Sequence, residues 1–310
     1  MKKMKKKIVA ILMTMTMCAA ALAGCGNKEA DDTNYGKDAG WQTGETSDFD
    51  AAMGISVISR EDGSGTRGAF IELFGVEQKN EAGKKVDYTT VEATITNNTS
   101  VMMTTVAGDE YSIGYISLGS LNNTVKALKI DGVEASVENI KNDTYKVARP
   151  FNIATKGDMN DAAKDFVNYI MSAEGQAIIA DNGYITIDDA APAFAGGQAE
   201  GKVVVAGSSS VSPVMEKLAE GYQALNGKVK IELQTSDSTT GMTSAIDGTC
   251  DIGMASRALK EAEEAELTAT TIAMDGIAVI VNKANPAEDL AADQVRAIFM
   301  GETLSWDEVQ

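Results

Sequence analysis

The chain has 310 residues, a formal net charge of −18, three cysteines and no histidine. Such an acidic surface repels nucleic acid and anionic membrane, and the lack of His removes the commonest general base and metal ligand. With Cys250 the one cysteine after residue 25 and no GxxxxGK[ST] segment, the residues point away from a zinc site, a Ser-His-Asp triad, an intrachain disulfide and a nucleotide P-loop. No catalytic residues, metal or cofactor are expected.

Lys2, Lys3, Lys5, Lys6 and Lys7 precede an apolar stretch at 8–22, and Leu22-Ala23-Gly24 places small residues just before Cys25. This pattern resembles a bacterial lipoprotein signal peptide over 1–25, in which Cys25 becomes the lipidated first residue of the mature chain. Loss of those five lysines would take the formal charge from −18 to −23. Residues 26–50 are polar and poor in apolar side chains, so they read as a flexible tether. The expected location is the outer face of the cell membrane, held there by lipid on Cys25.

Beyond the tether the elements follow in order. Residues 55–58 form an apolar run, then come Ser59-Arg60-Glu61-Asp62-Gly63-Ser64-Gly65-Thr66-Arg67 and an amphipathic stretch at 69–74: strand, glycine turn, helix start. A helix opening at Asn98 or Thr99 is expected to bury Val101, Met102 and Val106, with Met102 and Met103 as core filler. A strand at 112–118 follows. A helix opening near Asn160 turns Phe166, Val167 and Ile170 inward, and the segment 173–182 stops at Gly183, a left-handed cap.

A strand at 203–205 leads into Gly207-Ser208-Ser209-Ser210-Val211-Ser212-Pro213. Here Ser212 reads as an N-cap with Pro213 at the first helical position, and Val214, Leu218 and Tyr222 share a face. A strand at 229–233 precedes Ser236-Asp237-Ser238-Thr239-Thr240-Gly241 and a helical stretch at 242–246. Further strands are expected at 252–254 and 277–281. The pattern is α/β, and roughly 260 residues suffice for two lobes.

The recurring strand, hydroxyl turn and helix start has a common chemistry. Glycines permit tight turns, N–H groups at a helix start favour negative charge, and hydroxyls add donors. With Arg60 beside one such turn, the set reads as a site for a small anion such as phosphate. Because the overall field is repulsive, such a site must act locally through dipoles, hydroxyls and a nearby guanidinium.

Several motifs together resemble the phosphate-binding lipoprotein of the bacterial high-affinity phosphate ABC transporter. They are the segments 59–70, Gly114-Tyr115-Ile116-Ser117-Leu118, 207–213, 247–257, Asp275-Gly276-Ile277-Ala278-Val279-Ile280-Val281-Asn282, and Ile298-Phe299-Met300-Gly301 through Trp306. The resemblance runs from 55 to 310. It implies a two-lobed periplasmic-binding-protein (type II) fold with a hinge and a ligand cleft between the lobes. Compared with the family's usual motif order, the later half here comes first, which implies a circular permutation with 188–201 joining the old ends. The implied lobes are 51–147 plus 284–310, and 150–274, with crossovers near 148–150 and 275–283.

Carried over residue by residue, the resemblance assigns phosphate contacts to Arg60, Ser64, Gly65, Thr66, Ser209, Ser210, the backbone of Val211, Ser238 and Ser256. Arg67 is expected to face solvent, and the alternative to a contact at Ser256 is that Ser256 caps the next helix while Arg257 faces solvent. Better-known members have an aspartate where Ser256 stands. A hydroxyl accepts the proton of bound phosphate but cannot repel a fully ionised oxyanion by charge, which puts selection against sulfate in question. The implied partners are inorganic phosphate, an ABC permease and the membrane, with no nucleic acid, and the protein is expected to be a monomer. The alternatives are a receptor for sulfate or molybdate, and a phosphate-sensing lipoprotein with no transport role. A phosphoryl-transfer enzyme would need a base or metal cluster that the sequence lacks.

Overall fold

The computed structural model describes residues 49–157 and 159–309, so the expected signal peptide, Cys25 and nearly all of the expected tether lie outside the described residues. In chain order the strands are β1 Ser56–Arg60, β2 Glu77–Lys79, β3 Lys85–Asp87, β4 Thr94–Thr96, β5 Ser112–Ser117, β6 Lys126–Ala127, β7 Lys129–Ile130, β8 Ala148–Thr155, β9 Gly201–Ser208, β10 Val229–Ser236, β11 Ile252–Ala255, β12 Thr268–Val281 and β13 Asp289–Leu290. The helices are α1 Gly65–Leu73, α2 Thr99–Ala107, α3 Val137–Lys141, α4 Asp161–Ile170, α5 Ala173–Asp181, α6 Ser212–Leu225, α7 Ser238–Ile246, α8 Glu261–Glu264 and α9 Ala292–Met300.

One sheet runs in the order β10-β9-β11-β8-β12-β5-β1-β4, with β6 also paired to β12. Its two ends are alike. β10, β9 and β11 are mutually parallel at one end, and β5, β1 and β4 at the other. Between them β8 and β12 run antiparallel to their neighbours. β12 serves both ends: Thr268 to Gly276 pairs with β8, and Ile277 to Val281 pairs with β5.

Apolar side chains collect separately at each end. Phe70, Met102, Tyr115, Ile280 and Phe299 belong to one core, and Phe151, Phe166, Val205, Leu218 and Tyr222 to another. A smaller cluster under α7 contains Met242, Ala245 and Cys250. Burial pushes the Cys250 thiol up to about 11, so it is a poor nucleophile.

Helix starts follow the capping rules. Ser64, Asn98, Asn160, Ser172 and Asp237 each accept a backbone N–H from the first turn of the helix they open. Gly183 takes a positive φ just past α5. α6 departs from expectation by one residue: Ser212 is its first residue and Val211 the cap, and the Ser212 hydroxyl donates to the Ser208 carbonyl instead of capping. On α2, Met102 and Val106 are fully buried but Val101 is 42% exposed, because it lies on the outer face of the helix. Val167 is half-buried at the edge of its core.

β8 has no counterpart among the expected strands. Its sequence Ala148-Arg149-Pro150-Phe151-Asn152 carries a proline and polar residues that disguise it. Pro150 is tolerated because β11 pairs only with Asn152 to Ala154, so at Pro150 β8 is paired on the β12 side alone.

The end of the described chain lies beside its start. Ile55 N–H donates to the Leu304 carbonyl at 2.8 Å, and Asp307 N–H to the Ala51 carbonyl at 2.8 Å. Segment 188–201 crosses α5 and α4 on its way into β9, with Ala173 N–H on the Pro192 carbonyl and Gly197 N–H on Asp165.

Candidate functional site

The sheet topology places hydroxyl turns at the C-terminal ends of parallel strands, where open α/β sheets bind ligands. β1 ends at Arg60, β9 at Ser208, β10 at Ser236 and β11 just before Ser256. α1, α6 and α7 open directly from three of these ends. Their first N–H groups have no carbonyl ahead of them in the helix.

Arg60 is almost fully buried and its backbone is pinned on several sides. Its N–H donates to the Tyr115 hydroxyl at 3.1 Å, its carbonyl accepts from Arg67 Nη1 at 2.7 Å, and the next N–H, that of Glu61, donates to the Thr96 carbonyl at 2.9 Å. Tyr115 is itself fixed by stacking on Phe70 at 3.9 Å between ring centroids. Burial pushes its hydroxyl up to about 12, so it stays protonated beside Ser59. The Arg60 guanidinium makes a two-point pair with Glu61, 2.7 Å on each side, and reaches the Ser209 hydroxyl at 3.1 Å. Glu61 fixes one edge of the plane, while the bond to Ser209 spans from one core to the other.

The remaining expected residues converge on the same place. Thr66 Oγ1 lies 2.6 Å from Ser210 Oγ. Ser208 Oγ donates to Ser256 Oγ at 3.0 Å, and Ser238 Oγ accepts from Ser256 N–H at 3.0 Å. Gly65 is the point of closest approach: a Cβ built there would stand 2.4 Å from Ser238 Oγ and 2.7 Å from Ser256 Oγ, so only glycine lets α1 come this close. A second close approach seats α7. Gly207 at φ +132° and Gly241 meet backbone to backbone, which brings Ser238 up to the end of β9.

Some residues behave differently from expectation. The Val211 N–H donates to the Ser208 carbonyl at 3.0 Å and its side chain is in the core, so it shapes the turn. Ser64 Oγ is used as the α1 cap, accepting from Arg67 N–H. Arg67 does not face solvent: it pairs with Asp87 at 2.8 Å and Asp62 at 3.1 Å while supporting the Arg60 carbonyl. Arg257 is also engaged, in a two-point pair with Glu263 and a bond to Thr239 Oγ1. Burial raises the Glu263 carboxyl, but Arg257 and the Lys260 N–H outweigh it and hold that carboxyl below its ordinary value. Ser256 caps no helix, since α8 starts at Glu261 and is preceded by Lys260.

Thr99, Arg149 and Asp275 were not among the expected contacts but lie at or behind this centre. Thr99 Oγ1 comes within 3.5 Å of Ser209 Oγ from the start of α2, and its signal was the Asn98-Thr99 hydroxyl cap already noted. Arg149 and Asp275 face each other on β8 and β12 in a fully buried pair at 3.2 Å. A groove of about 740 Å³ leads away on the Ser209 side, lined by Asn97, Asn98, Thr99, Ser212 and Glu216 among others. Among the described residues no cluster of His, Cys, Asp and Glu could hold a metal ion, and no helix is long and apolar enough to cross a membrane. The arrangement offers a buried guanidinium, helix-start N–H groups and a set of hydroxyl donors, which suits a compact oxyanion.

Comparison with known proteins agrees with this chemistry. A family model described as a PBP superfamily domain matches residues 31–174 and 192–310. The Phosphate-binding protein PstS 2 of Streptococcus agalactiae serotype V is 58% identical over 257 residues, 82% of this chain and 87% of that protein. The protein of the same name from Streptococcus pneumoniae serotype 4 is 39% identical over 307 residues, 99% of this chain and 100% of its own. The crystal structure of a phosphate ABC transporter phosphate-binding protein from Streptococcus pneumoniae TIGR4 is 42% identical, covers 83% of this chain and 100% of that chain, and superposes with a TM-score of 0.67.

Proposed function

Since the chain belongs to the PBP superfamily and, within it, to the PstS-like phosphate-binding proteins, we propose that it captures inorganic phosphate between its two cores and delivers it to an ABC permease. The observation that carries this reading is the convergence of Arg60, Thr66, Ser209, Ser210, Ser238 and Ser256 from both ends of the sheet onto one buried polar centre. Arg60 supplies the fixed charge. Gly65 and Thr66 supply α1 N–H groups, and the serines complete a shell of donors around a tetrahedral anion. Binding without chemistry suffices for such a role, and the solved relative from Streptococcus pneumoniae TIGR4 is the phosphate-binding protein of a phosphate ABC transporter.

We assign the lobes as 51–147 with 284–310, and 150–274, hinged where β8 and β12 cross. Support comes from the change of partner along β12 between Gly276 and Ile277. The circular permutation is supported by the contacts of Leu304 and Asp307 with Ile55 and Ala51, which bring the segment 304–307 beside the residues that lead into β1. Lipid attachment at Cys25, a monomeric state and residence at the outer face of the membrane complete the proposal on the strength of the leader sequence.

A second reading is favoured by one residue. Ser256 presents a hydroxyl where an acceptor charge would exclude sulfate, so a receptor for several oxyanions fits the same geometry. Calorimetric titration of the purified, ligand-stripped protein with phosphate and then sulfate separates the readings. Phosphate binding with sulfate ignored is expected of a phosphate receptor, binding of both would make it a broader oxyanion receptor, and binding of neither by folded protein would overturn the assignment.

A further inference from the structure

Ser256 is held at each of its polar groups. Its N–H donates to Ser238 Oγ at 3.0 Å, its hydroxyl accepts from Ser208 Oγ at 3.0 Å, and its carbonyl accepts from Arg149 Nη1 at 3.2 Å. The first two partners belong to the oxyanion centre. The third comes from β8, where the sheet passes from one core to the other.

Arg149 is an expensive way to hold a carbonyl. Its side chain is 1% exposed, it lies over the Phe151 ring with the guanidinium carbon 5.4 Å from the centroid, and its countercharge Asp275 is wholly buried on β12. Asp275 is tied in turn to the opposite core, because its Oδ1 accepts from Gly119 N–H at 3.4 Å. Burial pushes both members of the pair toward their neutral forms, and the nearby Arg60 guanidinium adds to this for Arg149. A buried ion pair contributes little net stability compared with apolar residues of similar size, and its best-attested use is to fix geometry.

We propose that Arg149 is a positioning residue for anion binding: through the Ser256 carbonyl it sets the Ser208, Ser238 and Ser256 hydroxyls, and through Asp275 it references them to the β8–β12 crossover. A carbonyl oxygen held by a guanidinium is also kept from turning its negative end toward the anion. Lobe rotation about the crossover would shift Gly119 against Asp275 and so reach Ser256 along one chain of contacts.

This inference rests on the phosphate-receptor reading, and the test keeps the two apart. Phosphate titration of the unaltered protein comes first, because absence of binding there defeats the receptor reading itself. Arg149→Met is then expected to weaken phosphate binding about tenfold, and Arg149→Lys, which keeps a donor and the charge, to recover part of that loss. Each substitution is repeated in a Ser256→Ala background. Alanine keeps the carbonyl that Arg149 holds but removes the hydroxyl it positions and that hydroxyl's bond to Ser208. If Arg149 acts by placing the Ser256 hydroxyl, its effect there shrinks to roughly threefold, since residues in one network are not additive. A purely structural Arg149 would give the same loss in both backgrounds, and that result, or unchanged affinity in Arg149→Met, overturns the proposal. Should Arg149→Met fail to fold, the Arg149→Lys pair of backgrounds decides by the same criterion.

Discussion

The β1–α1 turn brings a guanidinium to the cleft, whereas the β9–α6 turn that meets it brings hydroxyls alone. Both follow a parallel strand and open a helix, and both are buried. They differ in how they are held. Arg60 is gripped by Tyr115, Arg67, Glu61 and the β4 edge, while Ser208 to Ser210 are held by one another and by Ser236 and Ser256. A charge needs an external frame, because once desolvated it must be aimed and compensated. Hydroxyls rotate to suit whatever arrives, so a looser ring of mutual bonds serves them. One side of the cleft therefore sets the charge and the other adapts to shape.

The strongest way to break this division is Arg60→Ala. Charge-assisted contacts contribute roughly 1.5 to 3 kcal/mol, so phosphate affinity should fall by about ten- to a hundredfold or more. Calorimetric affinity within a factor of about two of the unaltered protein would show that the hydroxyl side carries binding unaided. Next in size is Gly65→Ala. Its Cβ would meet Ser238 Oγ at 2.4 Å and Ser256 Oγ at 2.7 Å, which forces the two sides apart. Alanine favours the helix over glycine, so the melting temperature should hold or rise while affinity drops roughly tenfold. A parallel loss of stability and affinity would instead locate the damage within α1.

The sequence made the charged side easy to read and the frame behind it hard. Ser59 to Arg67 carry their chemistry in adjacent residues, and the serine turns announce themselves as strand, hydroxyls and helix start. Helix ends marked by Asn98, Asn160 and Gly183 were legible because a cap is a local feature. β8 was not legible, since Pro150 and Asn152 mask a strand whose pairing with distant β12 decides its fate. Arg149 and Asp275, 126 positions apart, become a pair only when that pairing exists. For Arg67 the expectation of solvent exposure failed for the same reason, since Asp87 lies 20 residues away and arrives through the β2–β3 hairpin, and for Arg257 the solvent-facing alternative falls because its pair with Glu263 needs the turn into α8.

A smaller effect sharpens the adaptable side. Ser210→Ala removes the 2.6 Å contact to Thr66 and one donor, and a neutral hydrogen bond contributes about 0.5 to 1.5 kcal/mol. Affinity should fall several-fold at most. If the pair acts across the cleft as a unit, Thr66→Val and Ser210→Ala combined should cost less than the product of the separate losses. Simple multiplication of the two effects would mean that each hydroxyl meets the anion independently.

The least effect expected concerns stability, at the crossover behind both sides. Burial raises Asp275 from 3.8 to about 6, outweighing Arg149, so the folded protein binds this proton more tightly than the unfolded chain. Between about pH 4 and pH 6 the folded state therefore holds more protons, and Asp275's contribution to stability declines as pH rises through that window. Below it the contribution is fully present, and above it the contribution is lost. Carboxylates such as Glu263, held low in the folded state, slope the other way, so the measurement must be a difference. Melting temperatures of the unaltered protein and Asp275→Asn should diverge progressively across the window and keep a constant offset above it. A constant offset from acid to neutral pH would mean that Asp275 titrates at its ordinary value and that Arg149, despite its own burial, compensates it fully.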